Sequence, residues 1–213
     1  MNNSRQREIY RVTIVGSVIN MLLLIFKFVA GIVGNSAAMV ADAVHSLSDF
    51  VTDIVVILFV RLSGRPADED HGYGHGKFET LATLFVSLVL FGVAVMLFVG
   101  GVKDIVAVAR GRQLAEPTMV ALIAAVISII AKELLYHYTV KCGEKLNSQV
   151  VVANAWHHRS DAFSSIGVLA GVGGAMFLGG SWAVLDPIAA TIVSLFIVKV
   201  AYSLLMPSLE ELL

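Results

Sequence analysis

Residues 37–60 read AAMVADAVHSLSDFVTDIVVILFV. The run is long enough to cross the hydrocarbon of a bilayer, which takes about 20 apolar residues in a helix, yet it contains Asp42, His45, Asp49 and Asp53. Their spacings of three, four and four residues put all four on one helical face. Each ionised group at mid-bilayer costs roughly 2.5–3.5 kcal/mol on the insertion scale, so such a column should face a partner or a water-filled path. Asp42 and Asp53 lie toward the ends of the run, where burial costs less, and read equally as helpers of a site or as structural groups.

The rest of the chain supports a membrane reading. Of 213 residues, 57% are apolar and 15% charged, against roughly 45–50% and 25% in a soluble domain. Hydrophobic stretches at 10–33, 38–61, 78–101, 117–139, 149–178 and 184–206 predict an all-α membrane protein with six transmembrane helices. An even count places both termini on one side. The stretch that begins at residue 10 is too long for a signal-peptide core and reads as a retained helix. Placing the N-terminus in the cytosol puts Arg5, Arg7, Arg11, Arg61, Arg65, Lys77, Lys141 and Lys145 inside, against Lys103, Arg110 and Arg112 outside, the orientation that the positive-inside rule favours. The expected organisation is a cytosolic N-terminal segment at 1–9, a six-helix transport domain at 10–206 with a loop at 62–77, and at 207–213 the start of a missing or absent cytosolic domain. No internal repeat or low-complexity segment is apparent.

With a net charge of −1, the chain has no global field to attract nucleic acid. Cys142 is the only cysteine, which excludes disulfide frameworks and Cys-cluster metal sites. Any metal must be held by His and carboxylate. The fifth stretch contains NAWHHRSDAFSS, where His157 and Asp161 are again four apart. Two such i, i+4 pairs on facing helices can offer two imidazole nitrogens and two carboxylate oxygens to one tetrahedral ion.

Together, HSLSD at 45–49, PADEDHGYGHGKFE at 66–79, HHRSD at 157–161 and LDP at 185–187 resemble the cation diffusion facilitators, a zinc-transporter family. The resemblance spans all six stretches. It implies a six-helix, usually homodimeric exchanger that moves divalent metal out of the cytosol against protons, in the cytoplasmic membrane. It maps the transport site onto His45, Asp49, His157 and Asp161, the same four residues reached from spacing. Both His157, four residues before Asp161, and His158, three before, are allowed by helix geometry; the resemblance implies the four-residue interval and so His157, leaving His158 with Arg159 to read as interfacial polar groups. The resemblance also implies a second, loop metal site at Asp68, His71 and His75. Many relatives continue past the sixth helix into a cytosolic domain that helps them dimerise.

Imidazole and carboxylate together suit Zn²⁺, whereas an all-oxygen set suits harder ions such as Mn²⁺. Zn²⁺ is therefore the expected bound and transported ion, with no organic cofactor; Fe²⁺, Cd²⁺, Co²⁺ and Mn²⁺ remain as alternatives. Two carboxylates cancel the ion's charge, and in its absence they favour protons, so metal and protons compete for one site. The glycines of the 62–77 loop do not make a nucleotide-binding motif, because Lys77 is followed by Phe78 where Ser or Thr is required. Lys77 and Glu79 read as helper ion-pair partners or as interface anchors. Lys27 reads as snorkelling or facing the bundle, and Lys132, Glu133 and His137 as interfacial. Trp156 and Trp182 fit the two membrane interfaces, and Asp186-Pro187 fits the cap and opening turn of the sixth helix. An enzyme is not expected, since four protein ligands close a zinc site that catalysis would keep open. A metal-binding scaffold or sensor is the remaining competitor.

Overall fold

Each apolar run becomes a helix, and most helices outrun the stretch that predicts them. The computed structural model describes residues 3–62 and 76–212. Its helices are α1 (Asn3–Val33), α2 (Ala37–Leu62), α3 (Gly76–Ala109), α4 (Met119–Lys145), α5 (Gln149–Leu178) and α6 (Leu185–Leu212), with a 3-10 turn at Gly180–Val184 before α6. Lys103 and Asp104 thus lie on α3 rather than in a loop, and α6 carries Pro207 inside it. Among the described residues, Arg7–Val33, Leu84–Ala109, Met119–Lys145, Asn154–Leu178 and Gly180–Glu211 are long and apolar enough to cross a membrane. The 26 residues of α2 span about 39 Å.

The buried centre is built from small side chains. Ala30, Ala38, Ala41, Ala121, Ala124, Ala125, Ala189 and Ala190 are all buried, which lets helix backbones approach closely where lipid leaves no hydrophobic drive for association. The outward faces carry Leu22, Ile32, Phe85, Met96, Leu134 and Phe177, as lipid-facing surfaces do.

The α1–α2 and α4–α5 hairpins are copies of one another, correcting the absence of a repeat read from the sequence. Gly31, Asn35, Ser36, Val40, Ala41, Ala43, His45, Ser48 and Asp49 all recur 112 residues on, as Gly143, Asn147, Ser148, Val152, Ala153, Ala155, His157, Ser160 and Asp161. The turns match in geometry as well. Asn35 (φ 51°) and Asn147 (φ 47°) take the left-handed conformation that ends a helix. Ser36 N–H donates to Gly31 O at 3.0 Å, and Ser148 N–H to Gly143 O at 2.9 Å. A Cβ on Gly31 would come within 2.8 Å of Val40 Cγ2, and one on Gly143 equally close to Val152 Cγ2, so only glycine permits either crossing. Thr118 N–H, at the start of α4, donates to Gly34 O at the end of α1 at 2.8 Å. The two hairpins therefore run antiparallel, with the Asn35 and Asn147 turns at opposite ends of the bundle. The repeat was obscured because most lipid- and core-facing positions interchange freely among apolar residues.

Asp186 does not act as expected. It is buried one residue inside α6 and reaches across to α2, accepting from Ser36 Oγ (2.6 Å), Ala37 N–H (2.7 Å) and Ala38 N–H (3.3 Å). Ser36 Oγ in turn accepts from Met39 N–H at 3.0 Å. A carboxylate from one helix thus satisfies the orphan donors of another and sets the height of α2, which carries His45 and Asp49. Asp186→Ala is expected to destabilise the protein by roughly 1–3 kcal/mol, read as a lower apparent Tm in detergent, whereas Asp186→Asn should retain part of the cap.

Candidate metal centre

Three of the four residues expected at the transport site converge. Ligand atoms of His45, Asp49 and Asp161 all lie within 4.8 Å of one another. On α2, His45 Nε2 is 3.9 Å from Asp49 Oδ2; on α5, His157 Nε2 is 3.9 Å from Asp161 Oδ1. Donors around a tetrahedral Zn²⁺ with bonds of about 2.0–2.1 Å stand about 3.3 Å apart, so small side-chain rotations would bring either pair into range. His157 is the outlying member. Its side chain is 42% exposed against 17% for His45, although it lines the same small cavity as Asp49 and Asp161. That cavity, also bounded by Asn20, Ser46 and Lys132, has a volume of about 10 Å³, comparable with one water-sized sphere. His158 turns away, buried against α1 at Gly16, with Nε2 3.4 Å from Asn154 Nδ2. It is therefore not interfacial, as the sequence suggested.

Depth follows from helix arithmetic. Asp161 is 12 residues from the start of α5 and Asp49 is 12 from the start of α2, about 18 Å in each case. Because α2 and α5 start at opposite ends of the bundle, the carboxylates meet near its middle.

Two lysines in the bundle hold aspartates. Lys132 is buried, not interfacial, and its Nζ lies 2.7 Å from Asp161 Oδ2. Lys27 is fully buried, so it faces the bundle, and pairs with Asp42 Oδ2 at 2.8 Å. Ser165 Oγ donates to both oxygens of Asp42 at 3.2 Å, and Lys27 Nζ also reaches Ser46 Oγ at 3.1 Å. Asp42 thus belongs to a polar layer tying α1, α2 and α5 together on the Asn35 side of the metal-ligating cluster. Turn spacing could have revealed both pairs. Lys132 and Asp161 lie 15 residues before and 14 after Asn147, and Lys27 and Asp42 lie 8 before and 7 after Asn35, so each pair sits at matched depth in its hairpin.

A groove of about 1040 Å³ runs between α5 and α6 from Leu185, at the Asn35 end, to Ser203, with His45 and Asp161 in its wall. Around Arg159, the guanidinium lies over the Tyr136 ring at 4.6 Å and donates to its hydroxyl at 3.2 Å. His137 and Glu133 pair at 3.3 Å on the exposed face of α4. Trp156 and Trp182 are both exposed, near the start of α5 and just past its end. Asp68, His71 and His75 lie outside the described residues. So do the side chains of Asp53, on α2, and of Lys77 and Glu79, on the opening turn of α3.

Residues 13–213 match the model of the cation efflux transmembrane domain. The chain belongs to the cation efflux family, the cation diffusion facilitators. It is 38% identical over 209 residues to an uncharacterized transporter of Methanocaldococcus jannaschii, covering 97% of this chain and 70% of that one. It is 35% identical over 218 residues to the manganese efflux system protein MneP of Bacillus subtilis, covering all of this chain and 71% of the relative. Metal tolerance protein C1 of Arabidopsis thaliana is 39% identical over an alignment of 194 positions that covers 83% of this chain and 39% of that protein. Membership of a family of transporters, together with the apolar helices, makes this cation efflux protein an integral membrane protein that moves divalent metal.

Proposed function

We propose that this cation efflux protein exports Zn²⁺ from the cytosol in exchange for protons, binding the ion between α2 and α5 through His45, Asp49, His157 and Asp161. The observation that carries the reading is the convergence of His45, Asp49 and Asp161 at mid-depth, with Asp49, His157 and Asp161 lining a cavity of single-ion size. The repeat supports it, because the ligand pairs are the equivalent residues of two inverted hairpins, and transporters place their sites where such repeats meet. So does the asymmetry around the site. The Lys27–Asp42–Ser165 layer fills the bundle interior on the Asn35 side of the site, while the α5–α6 groove reaches His45 and Asp161 laterally. In this reading all six helices span the cytoplasmic membrane with both termini cytosolic, two copies assemble as a homodimer, and Asp68, His71 and His75 form a second, loop site that gathers metal at the mouth. Asp53, Lys77 and Glu79 assist near that mouth.

A second reading, Mn²⁺ as the physiological ion, is favoured by the manganese efflux relative; the two imidazoles favour Zn²⁺. The test is metal flux in proteoliposomes with an imposed pH gradient, run in parallel with Zn²⁺ and Mn²⁺. Zn²⁺ flux should be driven by the proton gradient and disappear in Asp49→Ala. His45→Asp should shift preference from Zn²⁺ toward Mn²⁺. A histidine must be neutral to ligate, so protons and metal compete, and calorimetric Zn²⁺ affinity should fall as pH drops from about 7.5 to 6. Flux unaffected by Asp49→Ala would refute the site, and saturable binding without flux in the parent would favour a scaffold.

A further inference from the structure

The two hairpins deliver equivalent ligands but unequal neighbours. Position 132 on α4 corresponds to position 20 on α1, again 112 residues apart. Lys132 faces Asp161 across the α4–α5 hairpin at 2.7 Å. Its counterpart Asn20 lies 15 residues before Asn35, where Asp49 lies 14 after, and both line the ion-sized cavity. Asn20 brings no charge, and its Oδ1 is buried with no hydrogen-bond partner among the described residues. One carboxylate of the site therefore carries a tethered cation and the other does not.

We infer that Lys132 is an affinity-setting residue, a tethered ammonium that holds Asp161 while the site is empty and must be displaced from Oδ2 when a divalent cation binds. The inference rests on the metal site proposed above. With Asp49 and Asp161 ionised, Lys132 leaves the empty site with a net charge of −1 rather than −2. A dication entering a cavity of about 10 Å³ meets the ammonium at close range, where repulsion in a partly buried setting is large. It must also break a charge-assisted hydrogen bond to gain its ligand. Both effects weaken binding, and both reverse on departure, when the ammonium returns to the vacated carboxylate. A transporter gains from this, because a site of two carboxylates and two imidazoles without a competing cation would hold Zn²⁺ too long for rapid turnover. Lys132 does not itself touch the ion; it acts through Asp161.

The full chain in detergent or nanodiscs supplies the test, with Zn²⁺ affinity measured by calorimetry and turnover by proteoliposome flux. Lys132→Gln keeps a hydrogen-bond donor beside Asp161 and removes only the charge. It is expected to tighten the Kd for Zn²⁺ by about tenfold or more while lowering maximal flux, so that KM and kcat fall together. Lys132→Arg should stay within about threefold of the parent on both measures. Asn20→Lys, which places a second ammonium opposite Asp49, should weaken Zn²⁺ binding by a factor comparable with the gain in Lys132→Gln. It also decides the matter should Lys132→Gln fail to fold. Parental or weaker affinity in folded Lys132→Gln, or parental affinity in Asn20→Lys, would overturn the role of Lys132 alone, provided Asp49→Ala still abolishes binding. Binding that survives Asp49→Ala would overturn the site and this inference together.

Discussion

Asp161→Ala is expected to abolish Zn²⁺ flux and, in addition, to lower the stability of the empty protein by roughly 3–5 kcal/mol, because it strands the Lys132 ammonium in the bundle. For a chain of this size that corresponds to a fall in apparent Tm of roughly 6–20 °C, measurable by thermal unfolding in detergent. The contrast with Asp49→Ala is what separates this expectation from a generic loss of a ligand. Asp49 has His45 Nε2 at 3.9 Å and lines the cavity beside the neutral Asn20, so its removal strands no lysine. Its flux should vanish with a much smaller change in Tm. Equal Tm shifts in the two variants would contradict the ion pair between Lys132 and Asp161.

The Lys27–Asp42 pair should show the same signature without involving a ligand of the proposed ion. Both side chains are essentially inaccessible, so Lys27→Met, which leaves Asp42 with only Ser165 as a donor, is expected to cost roughly 3–5 kcal/mol. Removing both charges in Lys27→Met with Asp42→Leu should recover most of that loss, since an apolar replacement of a buried pair is often neutral or stabilising. The measure is a double-mutant cycle on unfolding, and a strongly non-additive result is expected for groups in contact. Additive losses would mean that the pair does not tie α1 to α2. This layer fills the bundle interior beside the proposed transport site, so single variants that fold should also show impaired Zn²⁺ flux.

Much of the architecture was readable before any coordinate. The apolar runs located six helices, because a chain in lipid must satisfy its backbone within each segment. Helix ends were less legible: hydrophobicity marks where lipid ends, whereas a helix continues into the interface until a turn such as Asn35 or Asn147 stops it. The candidate ligands were legible from i, i+4 spacing, which is a local property of helices. Their lysine partners were not recognised. A lysine in or beside an apolar run has two outcomes of similar cost, snorkelling to the interface or pairing inside, and only the placement of a neighbouring helix distinguishes them. Asp186 illustrates the same limit. Its position before Pro187 suggested a cap for its own helix, yet its oxygens serve α2, about 150 residues away in sequence.

By itself, then, the sequence of this cation efflux protein determined an all-helical chain with paired His and Asp on two of its helices. Both follow from periodicities that act within a single helical segment. Tertiary structure decided what those pairs face. The antiparallel packing of two copied hairpins brings Asp49 and Asp161 to one depth, sets Asn20 beside one and Lys132 against the other, and pairs the buried Lys27 with Asp42. Such pairings depend on the height and rotation of whole helices relative to each other, fixed by close glycine and alanine contacts and by the Asp186 cap, and no local pattern encodes them.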